Sequence, residues 1–279
     1  MKKQQLIFIS VLVALFLVTS PGFCGSEGDL IENIGNGSIN WTTGVIQAVG
    51  IGAPPEKDYG KPQARPLALR AAKLDALRNI LEVVNGVRID AKTVVRDAAV
   101  ESDVIMAKVQ GMVRGARQVK QEYLSDGTVE VTMQVDTRGG FSQLMLPQDI
   151  KQVEPITPIT PSQQSTGVLT GLVVDARGLA ARPAMAPKIV DEDGQEVYGS
   201  AFVSREYAVQ QGMSGYGKDV ASAKQNQRVA DNPLVVRGLR TDGPGQSDII
   251  ISTSDAAKLR NASEHLSFLK KCRVMIVVD

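Results

Sequence analysis

A proline repeat in the middle of the chain constrains the fold most strongly. Residues 155–161 read Pro-Ile-Thr-Pro-Ile-Thr-Pro. Proline fixes φ and removes a backbone donor, and each proline pushes the preceding residue out of helical space. Such a tract favours an extended polyproline II conformation and is excluded from the interior of a helix or a sheet. We therefore predict a Pro-rich linker over 147–166 that separates a domain at 25–146 from a second domain at 167–279.

The composition excludes several classes of protein. With 279 residues, 43% of them hydrophobic, each half is long enough to bury a core. The formal net charge of +1 supplies no field for holding a nucleic acid. Two cysteines cannot form a disulfide scaffold, and Cys24, His265 and Cys272 lack the spacing of zinc ligands. With one histidine in the chain as well, we predict no catalytic, cofactor-binding or metal site and no enzymatic activity.

The first residues predict export. Residues 1–24 have a basic start and the apolar run Leu6–Val18, the pattern of a secretory signal peptide. The run is shorter than the roughly 20 residues of a spanning helix, and Pro21 follows it. Two outcomes remain open: cleavage after Cys24 or Ser26 gives a soluble exported protein, whereas lipidation of Cys24 gives an outer-membrane lipoprotein. The protein is therefore predicted to be periplasmic or associated with the outer membrane.

The first half contains the clearest helix of the sequence. Residues 39–52 are β-rich and predict one strand, whose glycines permit a bulge or the close approach of a neighbour. A helix is predicted over 66–84, with Pro66 in the first turn and Asn85-Gly86 as a left-handed stop. Its predicted core face consists of apolar residues three and four apart: Leu67, Leu74, Leu77, Leu81 and Val84.

Alternating residues after this helix predict a long hairpin. A helical turn is expected around 94–100, followed by polar and apolar alternation over 105–123. The turn Ser125-Asp126-Gly127 then leads into a second alternating strand at 128–137. Asp-Gly between alternating strands is a strong hairpin signal. We therefore predict an open antiparallel sheet that the long helix covers on one side.

The second half interleaves strands and helices. Strands are predicted at 167–175, 187–190, 195–198, 234–239, 248–252 and 272–278. Helices are predicted at 204–211, 219–229 and 254–269, and a mobile loop at 212–217. This order predicts a second α/β-type domain, and an α+β fold for the whole chain.

Two local patterns are interpreted as structural rather than functional. The acidic run 191–194 does not fit a calcium loop, because Ile189 stands at the first ligand position, and it is interpreted as a hairpin turn. Cys272 lies in a β-branched apolar run, which favours a buried, inert cysteine over a reactive thiol. A hydrolase would require Asp175 to converge with Asp191 or Glu192.

The first half resembles a known domain family. The residues that carry the resemblance are Ala-Arg-Pro-Leu-Ala-Leu-Arg-Ala-Ala-Lys-Leu-Asp-Ala-Leu-Arg-Asn-Ile-Leu at 64–81, Val84-Asn-Gly-Val87 and Val109-Gln-Gly-Met-Val113. Over about residues 39–137 the chain is similar to the LPP-type (LPP20-like) outer-membrane lipoprotein domain. Related domains occur in flagellar ring and basal-disk proteins of the FlgT and FlgP type. The resemblance implies an envelope protein and supplies no catalytic residues.

These observations predict a protein that works through contacts. The first hypothesis is a non-enzymatic structural or assembly protein of the cell envelope, including a component of a flagellar or other ring, which binds envelope proteins or copies of itself. The alternative is a periplasmic glycan- or peptide-binding module. It requires Trp41, Tyr207 and Tyr216 to cluster in one concave site.

Overall fold

The computed structural model describes residues 28–148, 150, 169–261 and 265–279. The predicted signal peptide with Cys24 and most of the predicted linker lie outside the described residues. The described chain has the predicted α+β fold, with an antiparallel first sheet and a second, mixed sheet.

The first sheet has five strands in the order β1-β2-β3-β5-β4, and every neighbouring pair is antiparallel. The strands are β1 (Ile31–Ile34), β2 (Gly37–Asn40), β3 (Val45–Gly52), β4 (Arg117–Tyr123) and β5 (Val129–Asp136). The helices of this half are α1 (Ala64–Gly86), α2 (Val95–Glu101), α3 (Asp103–Arg114) and α4 (Gly140–Met145). The predicted strand at 39–52 is therefore two strands joined by a turn.

The predicted hairpin turn and its second strand are confirmed. Gly127 has φ +87°, which the turn between β4 and β5 requires and which glycine adopts without steric cost. Along β5 every second residue from Val129 to Val135 is buried, and the intervening residues are half-buried. One face of this sheet is therefore core and the other faces solvent, as the alternation predicts.

Helix α1 covers the core face of the first sheet with only part of the face that the spacing predicts. Val84 is buried, and Leu77 and Leu81 are half-buried against the core. In the N-terminal half of the helix the fully buried residues are instead Ala68, Ala72 and Ala76, whereas Leu67 and Leu74 are 40% and 54% exposed. The cause is a close approach to β3: a Cβ at Gly50 would lie 2.0 Å from the backbone N of Ala76. At this separation only methyl side chains fit between this part of the helix and β3, so Leu67 and Leu74 point away.

Two polar side chains of α1 also bind the backbone of β3. Strand β2 pairs with β3 only as far as Ala48, so the last residues of β3 have no strand on that side. There Asn79 Nδ2 donates to the Val49 carbonyl at 2.7 Å, and the Ile51 N–H donates to Asp75 Oδ2 at 2.9 Å. Helix side chains thus occupy backbone groups that would otherwise form an open strand edge.

Two predictions near α1 are wrong. Residues 105–114 belong to helix α3 rather than to a strand; Val109 and Val113 are its buried residues, and the Ser102 side chain accepts from the Ile105 N–H at its N-terminus. The spacing of apolar residues four apart fits both a helix and an alternating strand, and the capping residue decides between them. The Asn85-Gly86 stop is also wrong, because neither residue has positive φ and the chain leaves α1 through extended Val87.

The second sheet has seven strands in the order β8-β7-β11-β10-β6-β12-β9. Its strands are β6 (Gly171–Asp175), β7 (Ile189–Asp191), β8 (Glu196–Tyr198), β9 (Gly215–Gly217), β10 (Pro233–Asp242), β11 (Asp248–Ile251) and β12 (Val274–Val277). Its helices are α5 (Arg205–Gln211), α6 (Val220–Lys224), α7 (Thr253–Asn261) and α8 (His265–Lys270). The central strands β6 and β12 run parallel and are buried on both faces, as is usual for a sheet covered by helices.

Each predicted strand of the second half corresponds to an observed one, whereas the predicted loop at 212–217 is wrong. Residues 215–217 form β9, which pairs in parallel with β12 at the edge of the sheet. Two of its three residues are glycines, and because glycine is uncommon in strands, β-propensity does not predict a strand here. The predicted turn at 191–194 is confirmed, because it joins antiparallel β7 to β8 and Gly194 has φ +78°.

One apolar cluster runs through both halves. On β6, Leu172 and Val174 belong to the large cluster that also contains the core of the first sheet, whereas Val173 faces a small separate cluster. The same division holds on β12, where Ile276 joins the large cluster and Met275 the small one. The two sheets therefore share a buried contact in addition to their own cores.

Candidate functional site

Backbone hydrogen bonds join the two halves along one seam. The chain after α1 runs beside residues 182–186: the Met185 N–H donates to the Arg88 carbonyl at 3.0 Å, and the Ala186 N–H donates to the Ile89 carbonyl at 2.7 Å. Further along, the Gly245 N–H donates to the Ala91 carbonyl at 2.7 Å. These bonds fix the register of one half against the other.

Glu32 of β1 is the centre of a charged cluster at this seam. Its carboxylate accepts hydrogen bonds from Trp41 Nε1 at 2.9 Å, from Arg182 at 3.0 Å and from Arg88. Arg88 is buried, and its Nε also donates to the Pro183 carbonyl at 2.7 Å. Burial opposes the charged form of Glu32. The hydrogen bond and the charge of Arg88, together with the hydrogen bonds from Trp41 and Arg182, outweigh burial and lower the pKa of the Glu32 carboxyl.

Trp41 and Tyr216 come together from opposite halves. Their ring centroids lie 5.8 Å apart in an edge-to-face arrangement, and the Arg88 guanidinium lies 5.8 Å from the Trp41 ring centroid. The Tyr216 hydroxyl donates to the Ala184 carbonyl at 2.8 Å, and the Tyr216 carbonyl accepts from Thr42 Oγ1 at 3.0 Å. Burial raises the pKa of Tyr216 to about 12, so this tyrosine stays neutral and acts as a hydrogen-bonded anchor.

Two clefts flank Tyr216. One, of about 40 Å³, is lined by Trp41, Arg138 and Ser214 among others, and the second, of about 290 Å³, lies beside Lys218 and Asp219. Sites for drug-sized ligands measure about 300–1,000 Å³, and a water needs about 10–15 Å³. The first cleft therefore has room for ordered water rather than for a sugar ring.

The aromatic site that the alternative hypothesis requires does not form as expected. Trp41 and Tyr216 are 8% and 3% exposed, so neither ring offers a face for stacking. Tyr207, on α5, is 38% exposed and is not among the residues that line either cleft. The two buried aromatics instead hold the halves together.

The carboxylates of the hydrolase hypothesis are far apart. Strands β6 and β7, which end at Asp175 and Asp191, are separated by two others, so about 14 Å lies between them. Strand β6 is parallel to β10, β10 is antiparallel to β11, and β11 is parallel to β7, so β6 and β7 run in opposite directions. The two aspartates therefore lie at opposite ends of the strands. A glycosidase needs its two carboxyl groups within about 5–9.5 Å.

Both aspartates have structural partners. Asp175 accepts from Arg177 Nε at 2.8 Å in an exposed turn. Asp191 is buried and lies 2.7 Å from Arg260, and it accepts the backbone N–H of Gln195 at 2.8 Å. Burial opposes ionisation of Asp191, but these hydrogen bonds and Arg260 outweigh it and lower the pKa of the carboxyl.

A half-buried arginine, Arg228, lies between the ends of α5 and α8, and nothing in the sequence singles it out. Arg228 donates to the carbonyls of Gln211, Gly212 and Cys272, at 3.1 Å to Gly212 and 2.8 Å to Cys272. These carbonyls lie at or just after the C-terminal ends of α5 and α8, so the guanidinium caps the negative ends of two helices. Burial lowers the pKa of Arg228. Lysine or arginine near helix ends is too common to have marked this residue.

Cys272 lies two residues before the start of β12 and is fully buried. Burial raises the pKa of its thiol to about 12, which makes the thiolate scarce at neutral pH. The cysteine therefore fills space beside the helix ends, in agreement with its interpretation as an inert residue.

The largest open backbone edge is β4. It pairs with β5 on one side, and no described strand lies on the other. Six of its seven residues are exposed and Gln121 is half-buried, so both faces of the strand are open. The remaining edge strands β1, β8 and β9 have four, three and three residues, and Thr42 already binds the outer carbonyl of Tyr216 in β9.

Within the described ranges, no group of three or more His, Cys, Asp and Glu residues could hold a metal ion. None of the helices in this part of the chain is both long enough and apolar enough to cross a membrane.

Comparison with known proteins relates the second half to a described domain. Residues 171–279 match a family model described as the second domain of Treponema pallidum Tp0624. The match begins at β6 and covers the whole second sheet. No curated protein matches the chain. The LPP-type resemblance lies outside the matched residues and stays a prediction.

Proposed function

We propose that the protein is a non-enzymatic structural or assembly component of the cell envelope, exported and either periplasmic or associated with the outer membrane. Its partners in this proposal are copies of itself or other envelope proteins, including those of a flagellar or other envelope ring. The open edge of β4 is the observation that supports it most directly.

A long open strand edge is costly for a protein that acts alone. Its unpaired N–H and C=O groups are a template for pairing with another chain, and natural proteins usually cover or shorten such edges. This molecule does so elsewhere: Asp75 and Asn79 occupy the free end of β3, and the second sheet ends in three-residue strands. The seven residues of β4 are neither covered by a described element nor short; a bulge and charged side chains restrict which strand can pair with them, and this supports a complementary partner strand at this edge.

The chemistry of the seam supports the same proposal. The charged groups around Glu32 bind one another, and the aromatic rings beside them are buried. Groups that could recognise a glycan are thus engaged in holding the halves together. No specific observation favours the glycan- or peptide-binding alternative.

In-cell photo-crosslinking tests the proposal. A photoreactive amino acid at Gln118 of β4 should give cross-linked species of higher mass in the envelope fraction of the producing organism. The same amino acid at Lys224 of α6, exposed on the second half, is the control and should give none. A protein that stays in the cytoplasm, or that gives no cross-link from β4, contradicts the proposal. Mass spectrometry of the exported N-terminus separates a lipidated Cys24 from a cleaved one.

A further inference from the structure

We propose that β4 pairs with the β4 strand of a second copy of this chain, antiparallel about a two-fold axis, with Arg117 of each copy opposite Glu122 of the other. The inference rests on the proposed function, because it names the partner of the same edge.

The geometry of β4 allows this pairing. Its outer side is open along all seven residues, and its side chains extend to solvent on both faces. On the side of α1, the Arg65 guanidinium lies 5.7 Å from the centre of the Tyr123 ring, and Tyr123 lies outside the six residues that would pair. Pairing between identical strands about a two-fold axis closes after two copies.

The side chains of β4 are complementary to themselves in this register. Residues directly opposite in an antiparallel pair share one face of the sheet. Arg117 and Glu122 lie opposite Gln134 and Glu130 of β5, so both are on the solvent face. The register therefore joins opposite charges on that face, twice in each dimer.

The other face matches as well. Gln118 and Gln121 lie opposite the buried Met133 and Val131 of β5, so both are on the side of α1. The same register places Gln118 of one copy opposite Gln121 of the other, and amide side chains can donate and accept across such a pair. Six of the seven residues then form the ladder.

Competing registers set like charges opposite each other or pair fewer residues. Pairing Lys120 with Lys120 sets like charges opposite each other, which is destabilising. Pairing Lys120 with Glu122 of the other copy joins five residues of each strand instead of six. In that register Arg117, which forms no ion pair with a described residue, lies outside the ladder.

The irregular part of β4 makes the pairing selective. The register with β5 shifts between Gln118 and Lys120, so β4 contains a bulge. Bulges and charged side chains discourage indiscriminate pairing at strand edges, and a complementary strand is needed to overcome them. Six residue pairs bury less than a standard interface of about 800 Å² per partner, so we expect a reversible dimer.

Sedimentation velocity with exchanged charges tests the register. The mature chain should dimerise over a concentration series that reaches about 1 mM. Arg117→Glu and Glu122→Arg should each weaken dimerisation about tenfold or more, because each sets like charges opposite one another twice. An equimolar mixture of the two variants restores opposite charges at both positions and should recover the dimer, as should a chain that carries both substitutions.

Two exposed residues of α2 provide the matched control. Arg96→Glu and Glu101→Arg, alone or mixed, should leave dimerisation unchanged. Circular dichroism verifies that every variant is folded. A wild-type chain that stays monomeric overturns the self-pairing, whereas the in-cell cross-link from Gln118 to any partner still judges the proposed function. A wild-type dimer whose charge variants do not recover on mixing overturns the register and with it this inference.

Discussion

Helix α1 and the seam between the halves are both buried contacts, yet they are built from opposite chemistry. Beneath α1, methyl groups lie against glycine, and a Cβ at Gly52 would lie 2.2 Å from the Ala68 carbonyl oxygen. At the seam, Glu32 and Arg88 form a partly buried ion pair with hydrogen bonds to Trp41 and to backbone. The first contact tolerates no added atom, and the second tolerates no missing partner.

The largest effect is expected beneath α1. Gly50→Ala places a Cβ 2.0 Å from backbone of the helix, which cannot yield without shifting α1. We expect a loss of about 3 kcal/mol in the free energy of unfolding, measured by urea titration.

Gly111→Ala is the matched control for this substitution. Gly111 lies in α3, and a Cβ there meets no atom within 4 Å. Alanine should stabilise the protein by about 0.5–1 kcal/mol, because it restricts the unfolded chain and favours the helix. Equal losses for both glycines would show that the close approach of α1 to β3 is not what constrains Gly50.

A smaller effect is expected at the seam. Arg88→Met removes the buried cation while keeping an apolar stem of similar length, and leaves Glu32 with Trp41 and Arg182 as partners. Because Glu32 is only partly buried, we expect a loss of about 2 kcal/mol in the free energy of unfolding. Arg177→Met, which removes an exposed ion pair with Asp175, should cost less than about 0.5 kcal/mol. A seam that is unimportant for stability would give the same small loss for both arginines.

The smallest effect is a dependence on pH. The pKa of Glu32 lies below the ordinary value of 4.5 in the folded chain. Its contribution to stability is therefore complete above the pKa of the unfolded chain and is lost as the pH falls through the lower folded value. The stability difference between wild type and Glu32→Gln should be constant near neutral pH and shrink in acid, measured by urea titration at each pH. Since the pKa of Asp191 is lowered too, only the difference in stability between the two chains reports on Glu32.

The two contacts also differ in how well the sequence predicts them. The glycines near 50–52 predict either a bulge or the close approach of a neighbour, and the structure shows that the neighbour is α1. The N-terminal part of the helix face, Leu67 and Leu74, was predicted wrongly because spacing alone cannot distinguish a leucine stripe from an alanine stripe on the same helix. Only the glycines of β3 decide which stripe faces the sheet.

The sequence contains no comparable signal for the contact at the seam between the halves. Glu32, Arg88, Arg182 and Tyr216 are far apart in sequence, and each is an ordinary residue in its own segment. Their meeting depends on how the two sheets pack, which no local pattern encodes. Every strand of the second half except β9, in contrast, was predicted individually, and the buried central ones are marked by continuous β-branched runs. Their order in the sheet, and hence the separation of Asp175 from Asp191, was not predictable.

The burial of Cys272 makes the chain convenient for spectroscopy. In a mature protein from which Cys24 has been cleaved, this unreactive thiol is the remaining native cysteine. A cysteine introduced at an exposed position such as Val119 would then be the one that a maleimide dye or a nitroxide modifies. The distance between two such labels in a mixture of chains would report how close neighbouring copies come, without removal of any natural residue from the core.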